Sequence, residues 1–205
     1  QFLLIMVATG TSSGLVMLAA QYWGKQDTES IRTLHGIALR ISAVCGLIFS
    51  IAAMFFPHLL MKIFTTEVDL IATGSQYLRA VSLSYFFFAV SQVFQAGFKS
   101  IERVKIVTIM TTTALSLNIF LNAVFIFGWF GLPQMGIVGV GLATTISRAV
   151  ELIFCLIYAK TQKDVKFRLS NVFRRKKILT FDFIKFSLPA LGNELVWGAG
   201  FAMYS

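Results

Sequence analysis

Charged residues, cysteines and histidines are scarce in this 205-residue chain, and each scarcity excludes a class of protein. Charged residues make up 13% of the chain and hydrophobic residues 57%, so the polar faces that a soluble helical core requires are missing. Cys45 and Cys155 lie within apolar runs without metal-ligand spacing and are interpreted as small core residues. His35 and His58 fall at predicted helix ends and are interpreted as interfacial. Because a membrane-embedded enzyme would need His, Cys or acidic residues clustered at one depth, neither an enzymatic activity nor a cofactor is predicted.

Six long apolar blocks dominate the chain instead, and each is long enough to cross a lipid bilayer. A helix rises about 1.5 Å per residue, so roughly 20 apolar residues span the ~30 Å hydrocarbon core. Backbone in lipid must satisfy its own hydrogen bonds, which predicts that the blocks are helices. The predicted fold is therefore all-α, a polytopic helix bundle in the plasma membrane with spans at Phe2–Ala20, Ile37–Phe56, Tyr77–Phe98, Ile106–Phe127, Ile137–Ala159 and Phe183–Tyr204. Since apolar blocks adjoin both ends, we expect the chain to be truncated inside or beside helices.

Basic residues alternate along the connections between these blocks. Connections 21–35, 99–105 and 160–185 are basic, and the last holds nine of the eighteen Lys and Arg residues against two acids. The intervening connections, 57–76 and 128–136, contain a single Lys between them, Lys62, and no Arg. By the positive-inside rule the three basic connections are predicted to be cytoplasmic. The net charge of +9 is then a topology signal close to anionic lipid head groups, and no nucleic-acid partner is predicted.

Polar residues inside the spans are candidates for a binding site, because polar groups in lipid normally face protein or a water-filled cavity. Asn118 and Asn122 share one helix face, where their oxygens could bind a cation or a substrate amine. Hydrogen bonding between helices is an equally good interpretation of the two. Arg148 and Glu151, at i and i+3, are interpreted as a structural pair that faces a cavity or a neighbouring helix. The small residues of segment 8–14 are interpreted as a packing surface.

Three stretches resemble motifs of the multidrug and toxic-compound extrusion (MATE) transporters. They are Leu18–Asp27 (LAAQYWGKQD), Gln95–Arg103 (QAGFKSIER) and Gly136–Ser147 (GIVGVGLATTIS), in the family's order. The resemblance implies helices two to six and the start of helix seven of a two-lobed protein. Residues 1–159 would be the N-terminal lobe without its first helix, residues 160–182 the cytoplasmic linker between lobes, and residues 183–205 the truncated first helix of the C-terminal lobe.

The same resemblance implies secondary active transport, in which inward flow of Na⁺ or H⁺ drives export of amphipathic or cationic compounds. A lipid-linked saccharide flippase of the wider superfamily is the alternative. Asn118 and Thr144 match family site residues, Asn122 occupies a position that is Asp in one branch, and Glu194 is a candidate for cation coupling. We expect the first three to converge on a polar pocket within the lobe. The lipid bilayer and a small-molecule substrate are the expected partners, without an obligate protein partner.

Overall fold

The structure, a computed structural model, describes residues 2–62, 65–131, 133–173 and 176–204. Its described residues form helices and connections without a β-strand, so the all-α prediction is confirmed. The seven α-helices are α1 (Phe2–Gly24), α2 (Thr28–Phe55), α3 (Pro57–Lys62), α4 (Val68–Ser100), α5 (Val104–Phe127), α6 (Gly136–Thr161) and α7 (Lys177–Tyr204). Two 3₁₀ turns, Trp129–Gly131 and Leu169–Phe173, lie in the connections that flank α6.

Five of these helices, α1, α2, α4, α5 and α6, are long and apolar enough within the described residues to cross a membrane. The prediction of six spans is therefore wrong by one, since α7 is not among them although it contains the predicted block Phe183–Tyr204. The physical reason is local: Pro189, Asn193 and Glu194 dilute the apolar character of α7 at its centre. The five helices confirm the prediction of a multi-pass membrane protein.

Capping residues mark the start of α2 and the end of α5. Asp27 precedes α2, and its carboxylate accepts hydrogen bonds from the Ser30 amide at 3.0 Å and the Ser30 hydroxyl at 2.6 Å. These bonds hold the pKa of the Asp27 carboxyl below its ordinary value. At the other side of the bundle α5 ends at Gly128, whose φ of 70° lies in the left-handed region where only glycine is unstrained.

The three basic connections meet at one end of the bundle, as their predicted location on one side of the membrane requires. Arg103, between α4 and α5, forms an ion pair with Asp164 at 2.6 Å, beyond the end of α6. Lys176, before α7, pairs with Glu29 in the first turn of α2 at 3.0 Å. The segment between α6 and α7 is thus folded onto the bundle through contacts with both neighbouring connections.

Aromatic packing beneath this segment corrects the interpretation of His35. The His35 side chain is fully buried rather than interfacial, with ring centroids 4.8 Å from both Phe94 and Phe167. Phe167 comes from the α6–α7 connection, so hydropathy along α2 does not reveal that this helix end is covered. His58 remains exposed on α3, where its Nδ1 lies 3.0 Å from the Ser75 hydroxyl.

Small residues on α1 bring α7 into close contact, which confirms the packing interpretation of segment 8–14. A Cβ added to Gly10 would lie 2.6 Å from the Leu191 side chain, and one added to Gly14 would overlap the Ser187 hydroxyl. Glycines four residues apart leave a shallow groove that accepts a second helix, as in membrane helix pairs generally. Helix α7 consequently packs on α1 and α2, whereas α5 and α6 pack on the far side of α4.

Candidate functional site

Antiparallel packing of α5 and α6 brings Asn118, Asn122 and Thr144 together. The Asn122 Nδ2 donates to Asn118 Oδ1 at 3.1 Å, and the Asn118 Nδ2 donates to Thr144 Oγ1 at 3.4 Å. Thr144 in turn donates to the Val140 carbonyl at 3.0 Å, one turn earlier in α6. The convergence follows from helix geometry, because Asn122 and Thr144 lie at similar distances from the short connection between the two helices.

One acceptor in this chain of hydrogen bonds has no partner. The Asn122 Oδ1 is buried and makes no hydrogen bond within the described residues. A buried carbonyl oxygen without a donor costs on the order of 1–3 kcal/mol, so a cation or an N–H group of a ligand would be stabilised there. The oxygen is neutral, however, and supplies less attraction for a cation than a carboxylate at this position would.

A pocket of about 290 Å³ opens beside these residues between α5 and α6. Its polar lining comes from Thr111, Asn118, Thr144, Ser147 and Arg148, and its apolar lining from two α5 side chains. The volume is at the lower end of the range for small-molecule sites. The pocket therefore combines hydroxyl and amide groups with a single formal charge among the described residues that line it.

The charged residue that lines the pocket, Arg148, belongs to a hydrogen-bonded network centred on the buried Glu151. Arg148 Nη1 donates to Glu151 Oε2 at 2.7 Å, and Gln95 Nε2 of α4 donates to Glu151 Oε1 at 2.8 Å. Glu151 is 1% exposed, whereas the Arg148 side chain is 33% exposed and has its guanidinium carbon 4.9 Å from the centre of the Phe88 ring. The i, i+3 spacing indicated the Arg148–Glu151 pair, but Gln95 was missed as a partner because it is far away in sequence.

Glu194 does not join this site. It lies on α7, which contacts α1 and α2 but, among the described residues, neither α5 nor α6. Its side chain is half-buried. The structure thus brings together three of the four candidate residues from the sequence and leaves Glu194 on the other side of the bundle.

Comparison with protein families gives one matching domain. The family model MatE matches residues 1–124, which is more than half of the chain. This segment includes α1 to α4 and most of α5, and therefore contains Asn118 and Asn122.

Curated relatives are bacterial transporters. The chain is 25% identical over 193 residues to the "Uncharacterized transporter YisQ" of Bacillus subtilis, covering 94% of this chain and 42% of that protein. It is 31% identical over 182 residues to the "Probable multidrug resistance protein NorM" of Listeria monocytogenes, covering 84% of this chain and 38% of the relative. The chain therefore spans about two fifths of the length of these relatives.

Solved structures of MATE transporters have a fold similar to that of this chain. An "Outward-facing conformation of a multidrug resistance MATE family transporter of the MOP superfamily" superimposes with a TM-score of 0.81 at 20% identity, covering 95% of this chain and 42% of the other. A "Crystal structure of MATE in the bent conformation" gives a TM-score of 0.83 at 20% identity over 94% and 42% of the two chains. At this identity the likeness establishes the shared fold.

Proposed function

This chain belongs to the MatE family of membrane transporters, and from that premise we propose that it takes part in cation-coupled export of amphipathic or cationic compounds. The coupling ion in this proposal is Na⁺ or H⁺, moving inward as the compound moves out. Support comes from the names of the curated relatives, which include multidrug resistance and multidrug export proteins. The polar pocket between α5 and α6 is the observation on this chain that carries the proposal.

We further propose that different segments of the chain belong to different parts of a two-lobed transporter. Residues 1–159 act as one lobe of a two-lobed transporter, residues 160–182 connect the lobes, and residues 183–205 begin the second lobe. Two lobes that rock around a central site give alternating access, which a single lobe does not provide. The lengths of the curated relatives, more than twice that of this chain, support this division.

Ion coupling in this proposal needs an acidic group at a position other than residue 122. The Asn122 side chain offers a neutral oxygen without a hydrogen-bond partner in the described part of the chain, and such an oxygen can complete the coordination of Na⁺. It cannot bind a proton at physiological pH. Glu194 on α7 is the proposed acidic group for cation coupling, on the α1 side of the bundle and apart from Asn122.

A lipid-linked saccharide flippase is the second candidate function, and one observation favours it. Arg148 places a cationic side chain in the pocket, where it could contact a phosphate group. Its charge is already balanced by Glu151 at 2.7 Å, so the pocket as a whole is less cationic than Arg148 alone suggests. Export of small amphipathic compounds therefore remains the leading proposal.

Efflux from proteoliposomes tests the leading proposal. The two-lobed protein that contains this chain is reconstituted, loaded with an amphipathic dye, and given an inward Na⁺ or proton gradient. We expect gradient-driven efflux that Asn118→Ala reduces several-fold, because the substitution removes the amide that links Asn122 to Thr144.

Ser116→Ala on the same helix is the matched control, since Ser116 is exposed and lies outside the pocket. It should leave efflux unchanged, and residues 1–205 alone should show none. Equal efflux by the wild-type and Asn118→Ala proteins would argue against a role for this pocket. Efflux by residues 1–205 alone would argue against the need for two lobes.

A further inference from the structure

The polar groups that line the α5–α6 pocket differ in the hydrogen bonds that they can make with a ligand. The hydroxyls of Thr144 and Ser147 donate to the backbone carbonyls one turn earlier, at 3.0 and 2.8 Å. The Thr144 oxygen also accepts from Asn118 Nδ2 at 3.4 Å and keeps one lone pair for a ligand, whereas Ser147, 3% exposed, keeps both. Arg148 is the opposite case, because a guanidinium has five N–H donors and accepts nothing. One of its donors bonds to Glu151.

Glu151 is unsuited to bind a cationic ligand directly. Its side chain is 1% exposed, and each of its oxygens already accepts a hydrogen bond, from Gln95 and from Arg148. A ligand in the pocket therefore meets the guanidinium first, with the carboxylate behind it. Gln95 and Glu151 are positioning residues, since they fix the Arg148 side chain and compensate its charge within the bundle.

We propose that the α5–α6 pocket binds amphipathic zwitterions or acids, with Arg148 holding the carboxylate of the ligand. The hydroxyls of Thr144 and Ser147 then accept hydrogen bonds from N–H groups elsewhere on the same ligand. Arginine suits this role because its planar fork matches a carboxylate and keeps its charge at every physiological pH. The proposal narrows the substrate class of the transporter function proposed above and rests on it.

The position of Arg148 agrees with contact to a ligand that has an apolar body. Arg148 lies near the middle of the 26-residue helix α6, far from the water-exposed ends of the span. Its guanidinium also lies 4.9 Å from the Phe88 ring centre, so an aromatic face adjoins the cation. A planar aromatic acid would place its carboxylate on Arg148 and its rings against the apolar side of the pocket.

Two dyes that differ in a single group provide the test. Rhodamine 110 has a free carboxylate, and rhodamine 123 is its methyl ester with the same cationic ring system. Binding of each dye to residues 1–205 in lipid nanodiscs is measured by fluorescence anisotropy, with empty nanodiscs subtracted. We expect rhodamine 110 to bind roughly tenfold or more tightly than rhodamine 123, as for a hydrogen bond between charged groups.

Substitutions at Arg148 and Glu151 test whether Arg148 causes the preference for rhodamine 110 over rhodamine 123. The double substitution Arg148→Gln with Glu151→Gln removes both charges, retains an acceptor for Gln95, and should abolish the preference between the dyes. Arg148→Lys, which keeps the charge but loses the fork, should retain part of it. Equal affinity of the two dyes for the wild-type chain, or an unchanged preference in the double variant, would overturn the proposal.

These experiments distinguish an error in the proposed carboxylate site from an error in the proposed transport function. If rhodamine 110 is preferred but the two-lobed protein exports neither dye, the transport function is wrong and the carboxylate site stands. If the protein exports rhodamine 123 while residues 1–205 show no preference for the free acid, the carboxylate site is wrong and transport stands.

Discussion

Removing the Arg148 guanidinium should destabilise the bundle more than removing the Glu151 charge, because the two side chains differ in burial. Arg148→Gln leaves Glu151, 1% exposed, without a counter-charge in the interior of the bundle. Breaking a buried pair from one side typically costs about 3 kcal/mol or more. Glu151→Gln instead leaves Arg148, whose side chain is 33% exposed and reaches the pocket, and keeps an oxygen for Gln95. We expect that change to cost about 1 kcal/mol.

The double variant separates the two effects. When both charges are removed, no buried charge is left without a counter-charge. The double variant Arg148→Gln with Glu151→Gln should therefore be more stable than Arg148→Gln alone, by about 2 kcal/mol. The free energy of unfolding is measured in mixed micelles by titration with a denaturing detergent, followed by tryptophan fluorescence. The reasoning that charge compensation stabilises this network would be refuted if the double variant were as unstable as Arg148→Gln. It would also be refuted if the losses in unfolding free energy of the two single variants simply added in the double variant.

Three further predictions concern packing, pH and topology. Gly14→Val should lower the free energy of unfolding by about 1–3 kcal/mol through overlap with α7, whereas Gly192→Ala, with no atom within 4 Å of the added Cβ, should have little effect in the same titration. The hydrogen bond from Arg103 holds the pKa of Asp164 below its ordinary 3.8, so the pair stabilises the folded state above about pH 4 and loses its effect as the pH falls further. The melting temperatures of the wild-type and Asp164→Asn proteins should accordingly converge in acid, and a difference that persists at pH 2 would contradict this assignment. A cysteine placed at Gln134, in a background without the two native cysteines, should be modified by a membrane-impermeant thiol reagent from outside the cell; labelling from the cytoplasmic side alone would invert the topology.

The α5–α6 site shows how far sequence reasoning reaches into function. The four-residue spacing of Asn118 and Asn122 puts them on one face, and the short connection after α5 puts Thr144 at their depth. The second partner of Glu151 could not be found this way, because Gln95 is 56 residues distant and reaches Glu151 only through the packing of α4 against α6. The pocket itself depends on how α5 and α6 pack against each other, which hydropathy does not encode.

The sequence by itself determined that this protein is a helical membrane bundle and which connections share a side. Both properties are local: apolar length sets the spans, and the distribution of Lys and Arg sets the orientation. Only the tertiary structure decided that His35 is buried beneath the α6–α7 connection and that α7 docks on the glycines of α1. It also decided that Arg148 faces a pocket with Glu151 behind it. These features depend on how the helices rotate and approach one another. Side-chain packing between distant segments determines that arrangement, and local hydropathy does not.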